Sequence, residues 1–203
     1  MKSAIEIGLF CGTFNPIHNA HLLLAQFACE QFKLKKIYFV TSPRPPHRQD
    51  VQLSGEKRFE LASQAVANND LFESSPIELE RSGPSYTVDT IKYFAKSNTV
   101  NLLIGADNII HLPTWYQFEE IAKLAKLLVA PRHLNEDRAQ KDINVFTADE
   151  LTVLSKTNYA VIDFPLIDIS SSYIRQRIKE GRSVRYLVPE KVWQTIEREQ
   201  YFK

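Results

Sequence analysis

The sequence predicts an α/β fold: a doubly wound parallel sheet with helices on both faces and a small helical extension at its C-terminal end. Three observations predict it. Short runs of β-branched and aromatic residues alternate with longer stretches of helical periodicity, as strands joined by crossover helices do. The run Val100 to Gly105 is almost wholly apolar, as a strand covered on both faces must be. From residue 170 onward only helix signals remain.

In chain order, Ile5 to Cys11 reads as a strand and His21 to Phe32 as a helix, with Leu22, Ala25, Cys29 and Phe32 on one side. Lys36 to Thr41 is the next strand. Gly55 to Ala67 is a helix whose apolar face carries Phe59, Ala62 and Val66. Phe72 to Leu79 reads as a strand, Val88 to Ala95 as a helix and Val100 to Gly105 as the central strand. Trp115 to Leu124 is helical and Lys126 to Ala130 is a further strand. Ser170 to Glu180 is a helix with serines at its start and Gly181 after its end. Pro189 opens a last helix through Glu199, at the first position that proline favours. Two polar connections stand out, Ser42 to Asp50, rich in proline and basic residues, and Arg132 to Asp142, rich in charge.

A chain of 203 residues, 44% hydrophobic, has enough apolar surface for one well-buried domain over residues 1–203, its C-terminal helical part running from about 170 to 203. Twenty-five basic against 24 acidic residues leave a net charge of +1, without the footprint of a nucleic-acid or membrane-surface binder. No apolar run approaches the ~20 residues a membrane span needs. Two cysteines, Cys11 and Cys29, make no disulfide framework, and Met1 to Ile7 reads as neither signal nor transit peptide. These features predict a cytoplasmic protein with no nucleic-acid or membrane partner. The oligomeric state stays open, a homo-oligomer included.

In an open α/β sheet, ligands sit outside the carboxyl ends of the strands. The segments there carry the chain's five histidines, His18, His21, His47, His111 and His133, in or beside them. After the first strand comes Gly12-Thr13-Phe14-Asn15-Pro16-Ile17-His18-Asn19-Ala20-His21. Gly12 permits a sharp turn and close approach to a ligand, and Pro16 stiffens the loop. His18 and His21 share a face at a helix start, where backbone N–H groups favour an anion. A solvated surface turn is the plain alternative. Zinc binding is another, weakened because no third ligand follows nearby. Near the other end, Ile169-Ser170-Ser171-Ser172-Tyr173-Ile174-Arg175 offers hydroxyls and a guanidinium to a phosphate. An ordinary N-cap with an exposed arginine would look the same.

Together the two segments resemble the signatures of the nucleotidyltransferase superfamily, G-x-F-x-P-x-H-x-x-H and I-S-S-T-x-I-R. Gly12, Phe14, Pro16, His18 and His21 match the first throughout. Ile169, Ser170, Ser171, Ile174 and Arg175 match the second, with Ser172 in place of threonine. Cys11 and Asn15 depart from the usual G-G-T-F-D-P. Within the superfamily the chain resembles bacterial nicotinate-mononucleotide adenylyltransferases along nearly its whole length. Pro45-Pro46-His47-Arg48 resembles their P-P-H-K loop, and Ser85-Tyr86-Thr87-Val88-Asp89-Thr90 their S-Y-T-x-D-T segment. Gly105-Ala106-Asp107, with Leu112 and Trp115 downstream, resembles their G-x-D and tryptophan.

The resemblance implies a Rossmann-like fold and adenylyl transfer from ATP to nicotinate mononucleotide. It implies catalytic roles for His18, His21 and Arg175. Gly12, Thr13, Phe14, Gly105, Asp107, Ile169, Ser170 and Ser172 join them in holding ATP. It places the mononucleotide on His47, Arg48, Tyr86, Thr87, Trp115 and Arg132, with Trp115 as a stacking face and the amides near Tyr86 and Thr87 for the carboxylate. Core packing for Trp115 and a plain helix cap at Tyr86 and Thr87 are the alternatives. Mg²⁺ is expected as the counter-ion of ATP, carried by the phosphates and not by a protein metal site. The rivals are a nicotinamide-mononucleotide or phosphopantetheine adenylyltransferase and a non-catalytic nucleotide sensor. Phosphopantetheine enzymes lack the S-Y-T-x-D-T segment, and a sensor has no use for His18, His21 and Arg175 together.

Overall fold

The computed structural model describes residues 4–45, 51–131, 146–165 and 167–203. Its strands are β1 (Ile5–Gly12), β2 (Lys36–Thr41), β3 (Phe72–Ser75), β4 (Asn98–Gly105), β5 (Ala125–Ala130) and β6 (Tyr159–Val161). Its helices are α1 (Asn19–Phe32), α2 (Gly55–Val66), α3 (Thr87–Phe94), α4 (Phe118–Leu124), α5 (Ala148–Leu154), α6 (Ser171–Lys179) and α7 (Glu190–Glu199). The strands form one sheet in the order β3-β2-β1-β4-β5-β6. Strand β4 pairs in parallel with β1 and β5, and β5 with β6. This is the doubly wound α/β sheet that the alternating periodicities predict.

Contacts divide the chain into two compact units. One takes the described residues of Met1–Phe10, Leu24–Ile37 and Tyr86–Leu166. Its core is the continuous apolar run of β4 and β5, where Val100, Leu102, Leu103, Ile104, Leu127, Leu128 and Val129 are all buried. Asn101 is the polar exception. It is buried too, and its Nδ2 donates to Glu6 Oε2 at 2.8 Å and to the Ile7 carbonyl at 3.2 Å, so its burial is compensated.

The other unit takes Cys11–Leu23, Tyr38–Ser85 and Ile167–Lys203. Phe39 lies at its centre, 5.9 Å from the Phe14 ring and 5.3 Å from that of Phe72. Thr195 Oγ1 donates to Gln64 Oε1 at 2.9 Å and ties α7 to α2. No helix among the described residues is long and apolar enough to cross a membrane.

Several expected boundaries move for local reasons. Strand β3 stops at Ser75 and does not reach Leu79, because Pro76 has no N–H to continue a ladder and Leu79 and Glu80 donate back to its carbonyl. Helix α4 starts at Phe118, not Trp115. Gln117 ahead of it is left-handed (φ 55°), and 3₁₀ turns fill Ala106–Thr114. Pro189 precedes α7 as its cap and is not its first residue. In α1 the buried stripe is Leu24, Ala25, Ala28 and Cys29, while Leu22 and Phe32 are half-buried. In α2 it is Arg58, Leu61, Ala62 and Val66, with Phe59 only half-buried. Helix α5 and strand β6 were not expected. The α5 start nevertheless carries a legible capping box, with Thr147 and Glu150 reciprocally bonded.

Leu102 is 1% exposed at the centre of β4. Leu102→Ala should cost about 3 kcal/mol of stability, lost transfer free energy plus a cavity. Urea unfolding checks this, and a midpoint unchanged from wild type would show that the strand is not packed on both faces.

Candidate active site

The loop after β1 is built around Phe14. Its backbone is left-handed (φ 45°), and its ring lies over Gly12, where a Cβ would meet ring carbons at 3.0 Å. Glycine is therefore the residue that lets this loop close. The ring then meets His21 edge-on, centroids 5.1 Å apart. Cys11, one residue earlier, is no candidate nucleophile: burial first, then nearby Glu78, pushes its thiol up, away from the reactive thiolate.

His18 precedes α1 and His21 lies in its first turn. The two rings stack with centroids 3.6 Å apart and planes 20° apart. The His18 backbone N–H donates to His21 Nδ1 at 3.2 Å. That bond fixes the tautomer of a neutral His21: Nδ1 accepts, so the proton sits on Nε2. His18 is 5% exposed, and its Nδ1 is buried without a hydrogen-bond partner among the described residues. Burial pulls the His18 imidazole down to about 4. Burial, and then the closeness of His18, holds His21 well below the usual histidine value. Both rings are neutral at pH 7 in the free protein.

The serine-rich segment comes to this loop. Ser170 caps α6, its hydroxyl accepting from the Tyr173 N–H at 3.2 Å. Ser171 Oγ donates to the Pro16 carbonyl at 2.8 Å. Arg175 Nη1 donates to the Asn15 carbonyl at 2.8 Å, and its Nη2 to Ser172 Oγ at 3.2 Å. Because the Asn15 contact is made by backbone, asparagine in place of aspartate leaves it intact. The start of α1 is held from the same end of the chain: Asn19 donates from N and Nδ2 to the carbonyls of Leu187 and Tyr186, both at 2.9 Å. Gly12, Thr13, Phe14, His18, His21, Ser170, Ser172 and Arg175 thus belong to one unit, with Ile169 beside them. Sequence reasoning left out Ser171, whose hydroxyl joins the two segments.

A second group lies in the other unit. Tyr86 holds the N-cap position of α3, as the plain helix-cap alternative expects, but its own side chain makes no capping bond there. Its ring stacks on that of Tyr116, centroids 4.4 Å apart and 29° between planes. Tyr116 is half exposed, and Trp115 before it is half-buried in the turn that leads to α4. Tyr116 was overlooked in the sequence, although an aromatic residue directly after Trp115 was the available signal. At the end of β4, a Cβ on Gly105 would meet Asp107 Oδ1 at 2.5 Å, so glycine there leaves room for the carboxylate to fold back. His47, Arg48 and Arg132 lie outside the described residues. Among the described residues no three histidine, cysteine, aspartate or glutamate side chains gather to hold a metal ion.

Residues 9–177 match the cytidylyltransferase-like family. The chain is 36% identical over 200 residues to a protein of Caldicellulosiruptor bescii named probable nicotinate-nucleotide adenylyltransferase, covering 98% of this chain and 100% of that one. A protein of the same name from Exiguobacterium sibiricum is 38% identical over 196 residues, covering 95% and 96%. Among solved structures, Plasmodium falciparum nicotinic acid mononucleotide adenylyltransferase complexed with NaAD shares the fold, with a TM-score of 0.72, 17% identity and coverage of 98% and 97%.

The neutral His18 has a consequence for stability. Its folded pKa is depressed, so its contribution is complete above about pH 6.5 and drains as pH falls toward about 4, where the unfolded chain binds a proton that the fold refuses. The full loss is about 3 kcal/mol. His18→Gln should flatten this acid limb. Equal losses in wild type and variant between pH 7 and 4.5, by urea unfolding, would contradict the buried neutral ring.

Proposed function

The chain belongs to the cytidylyltransferase-like family, and from that premise we propose that it joins the AMP part of ATP to nicotinate mononucleotide, giving nicotinate adenine dinucleotide and pyrophosphate. One observation carries the reading: the tip of α6 is bonded to the loop that ends in the two histidines. Hydroxyls, a guanidinium and two imidazoles thereby gather where one triphosphate can meet them all.

The phosphate of the mononucleotide attacks the α-phosphorus of ATP in line. A bond forms from its oxygen to phosphorus, the bond to the β-phosphate bridging oxygen breaks, and the electron pair leaves with pyrophosphate. A phosphate monoester is largely dianionic at neutral pH, so the reaction needs no general base, and positioning and charge stabilisation carry the rate. His21 offers Nε2–H to an α-phosphate oxygen as negative charge builds there. His18 lies behind it, and an arriving anion raises the pKa of both rings, so the triphosphate draws protons onto them. Ser170, Ser172 and Arg175 grip the β- and γ-phosphates. Mg²⁺ carried by the phosphates of ATP would neutralise part of their charge.

On the substrate side, Trp115 and the Tyr86–Tyr116 stack offer flat faces to the pyridine ring. The amides at the start of α3, which the Tyr86 side chain does not cap, suit a carboxylate. Gly105 and Asp107 meet ribose hydroxyls. With two cysteines in 203 residues, the sequence carries no disulfide framework, which suits a cytoplasmic location.

Pyrophosphate release from ATP with nicotinate mononucleotide, nicotinamide mononucleotide or phosphopantetheine tests the assignment. The first should be the preferred acceptor, and turnover with none of them would leave only a nucleotide sensor. His21→Ala should lower kcat by about 10²–10³ at unchanged stability. Near-wild-type turnover would remove His21 from the chemistry. Trp115→Ala should raise the KM for the mononucleotide about tenfold and that for ATP much less. Equal rises would assign Trp115 to packing.

A further inference from the structure

Arg58 lies in the segment Gly55-Glu56-Lys57-Arg58 at the start of α2, which reads as a solvated, charged helix end. In the structure it is 1% exposed. Its guanidinium spends its donors on backbone. Nη1 donates to the carbonyls of Thr13 at 2.5 Å and Ser42 at 2.8 Å, Nη2 to Pro43 at 3.1 Å and Nε to Leu53 at 3.0 Å. Thr13 and Ser42 belong to the loops that leave the carboxyl ends of β1 and β2. The same loops are joined by the Ser42 N–H on the Gly12 carbonyl at 2.9 Å, and Ser42 Oγ donates to buried Glu78 at 2.9 Å.

Two physical consequences follow from that placement. A trans peptide puts its N–H opposite its carbonyl, and the cis bond in this loop lies further on, at Asn15–Pro16. With the Thr13 carbonyl turned to Arg58, the Phe14 N–H is aimed to the other side of the loop. Second, among the described residues no carboxylate forms an ion pair with Arg58. Burial lowers its pKa to about 10, which leaves it a cation at neutral pH. Carbonyl dipoles solvate that charge without cancelling it. Glu56 attracts that charge without an ion pair to it, so a buried cation of this kind still favours an added anion.

We propose that Arg58 is a positioning residue for the triphosphate: it turns the Thr13 carbonyl inward so that the Phe14 N–H faces a phosphate, and it supplies a fixed positive charge beneath that anion. The proposal rests on the reading that the loop after β1 receives ATP. Arg58 itself touches no reacting atom. A planar fork serving four carbonyls is a task that an ammonium cannot reproduce, although lysine keeps the charge.

The test is calorimetric titration of ATP, without the mononucleotide, into wild type, Arg58→Lys and Arg58→Gln, together with thermal melting. Arg58→Lys should weaken ATP about tenfold, and Arg58→Gln about a hundredfold, in the protein that remains folded. A purely structural clamp would lower the melting temperature and leave the affinity of the folded fraction within about twofold of wild type; that result overturns the proposal. In the wild type, titration of inorganic pyrophosphate should shift the Phe14 amide resonance in step with binding. An unmoved Phe14 amide overturns the proposal as well, even if neither variant folds. Failure of the functional reading is seen separately, as wild-type protein that releases no pyrophosphate from ATP and nicotinate mononucleotide.

Discussion

Two hydrogen bonds from the tip of α6 to a carbonyl pair, Ser171 to Pro16 and Arg175 to Asn15, are the constraint on which the site depends. The partners lie 155 and 160 residues apart in sequence, so the fold must bring two distant segments together for the bonds to form. Both acceptors are main-chain oxygens of the loop, and buried carbonyls of this kind need a donor. Once held, the loop presents its histidines and the helix tip presents its hydroxyls on a common framework. Ser172, bonded to the same guanidinium, is oriented in passing.

The free site is kept unsatisfied. Two stacked, neutral imidazoles and a buried His18 Nδ1 without a hydrogen-bond partner among the described residues are costly features. They become favourable when negative charge enters, because each ring gains a proton or donates a hydrogen bond. Arg58 belongs to the same logic at greater depth, a charge held under the loop by carbonyl dipoles, with no ion pair to a carboxylate among the described residues. A site of this kind binds anions through groups already in position, and little reorganisation is required as charge develops.

Much of this was legible in the sequence. The strand–helix alternation announced the sheet, and glycine, proline and the histidine pair announced the loop. The serine cap of α6 and Gly181 after it stand where their chemistry demands, with Gly181 left-handed (φ 69°). The rest was hidden for physical reasons. Trp115 to Gln117 has the composition of a helix start, yet Gln117 takes a left-handed turn set by its surroundings. Arg58 looks like a surface charge because its acceptors are main-chain carbonyls, three of them 15 to 45 residues away, which have no sequence signature. The neutral state of His18 and His21 depends on burial and on ring stacking, and periodicity reports neither. The stacking of Tyr86 on Tyr116 pairs residues from two separate segments, so neither alone announces it.

The most direct measurement is a crystal structure with a non-hydrolysable ATP analogue. The account predicts one triphosphate within hydrogen-bond distance of His21 Nε2, the Phe14 amide and the Ser172–Arg175 pair together. A triphosphate bound to the histidine loop while Ser172 and Arg175 remain out of reach would contradict it.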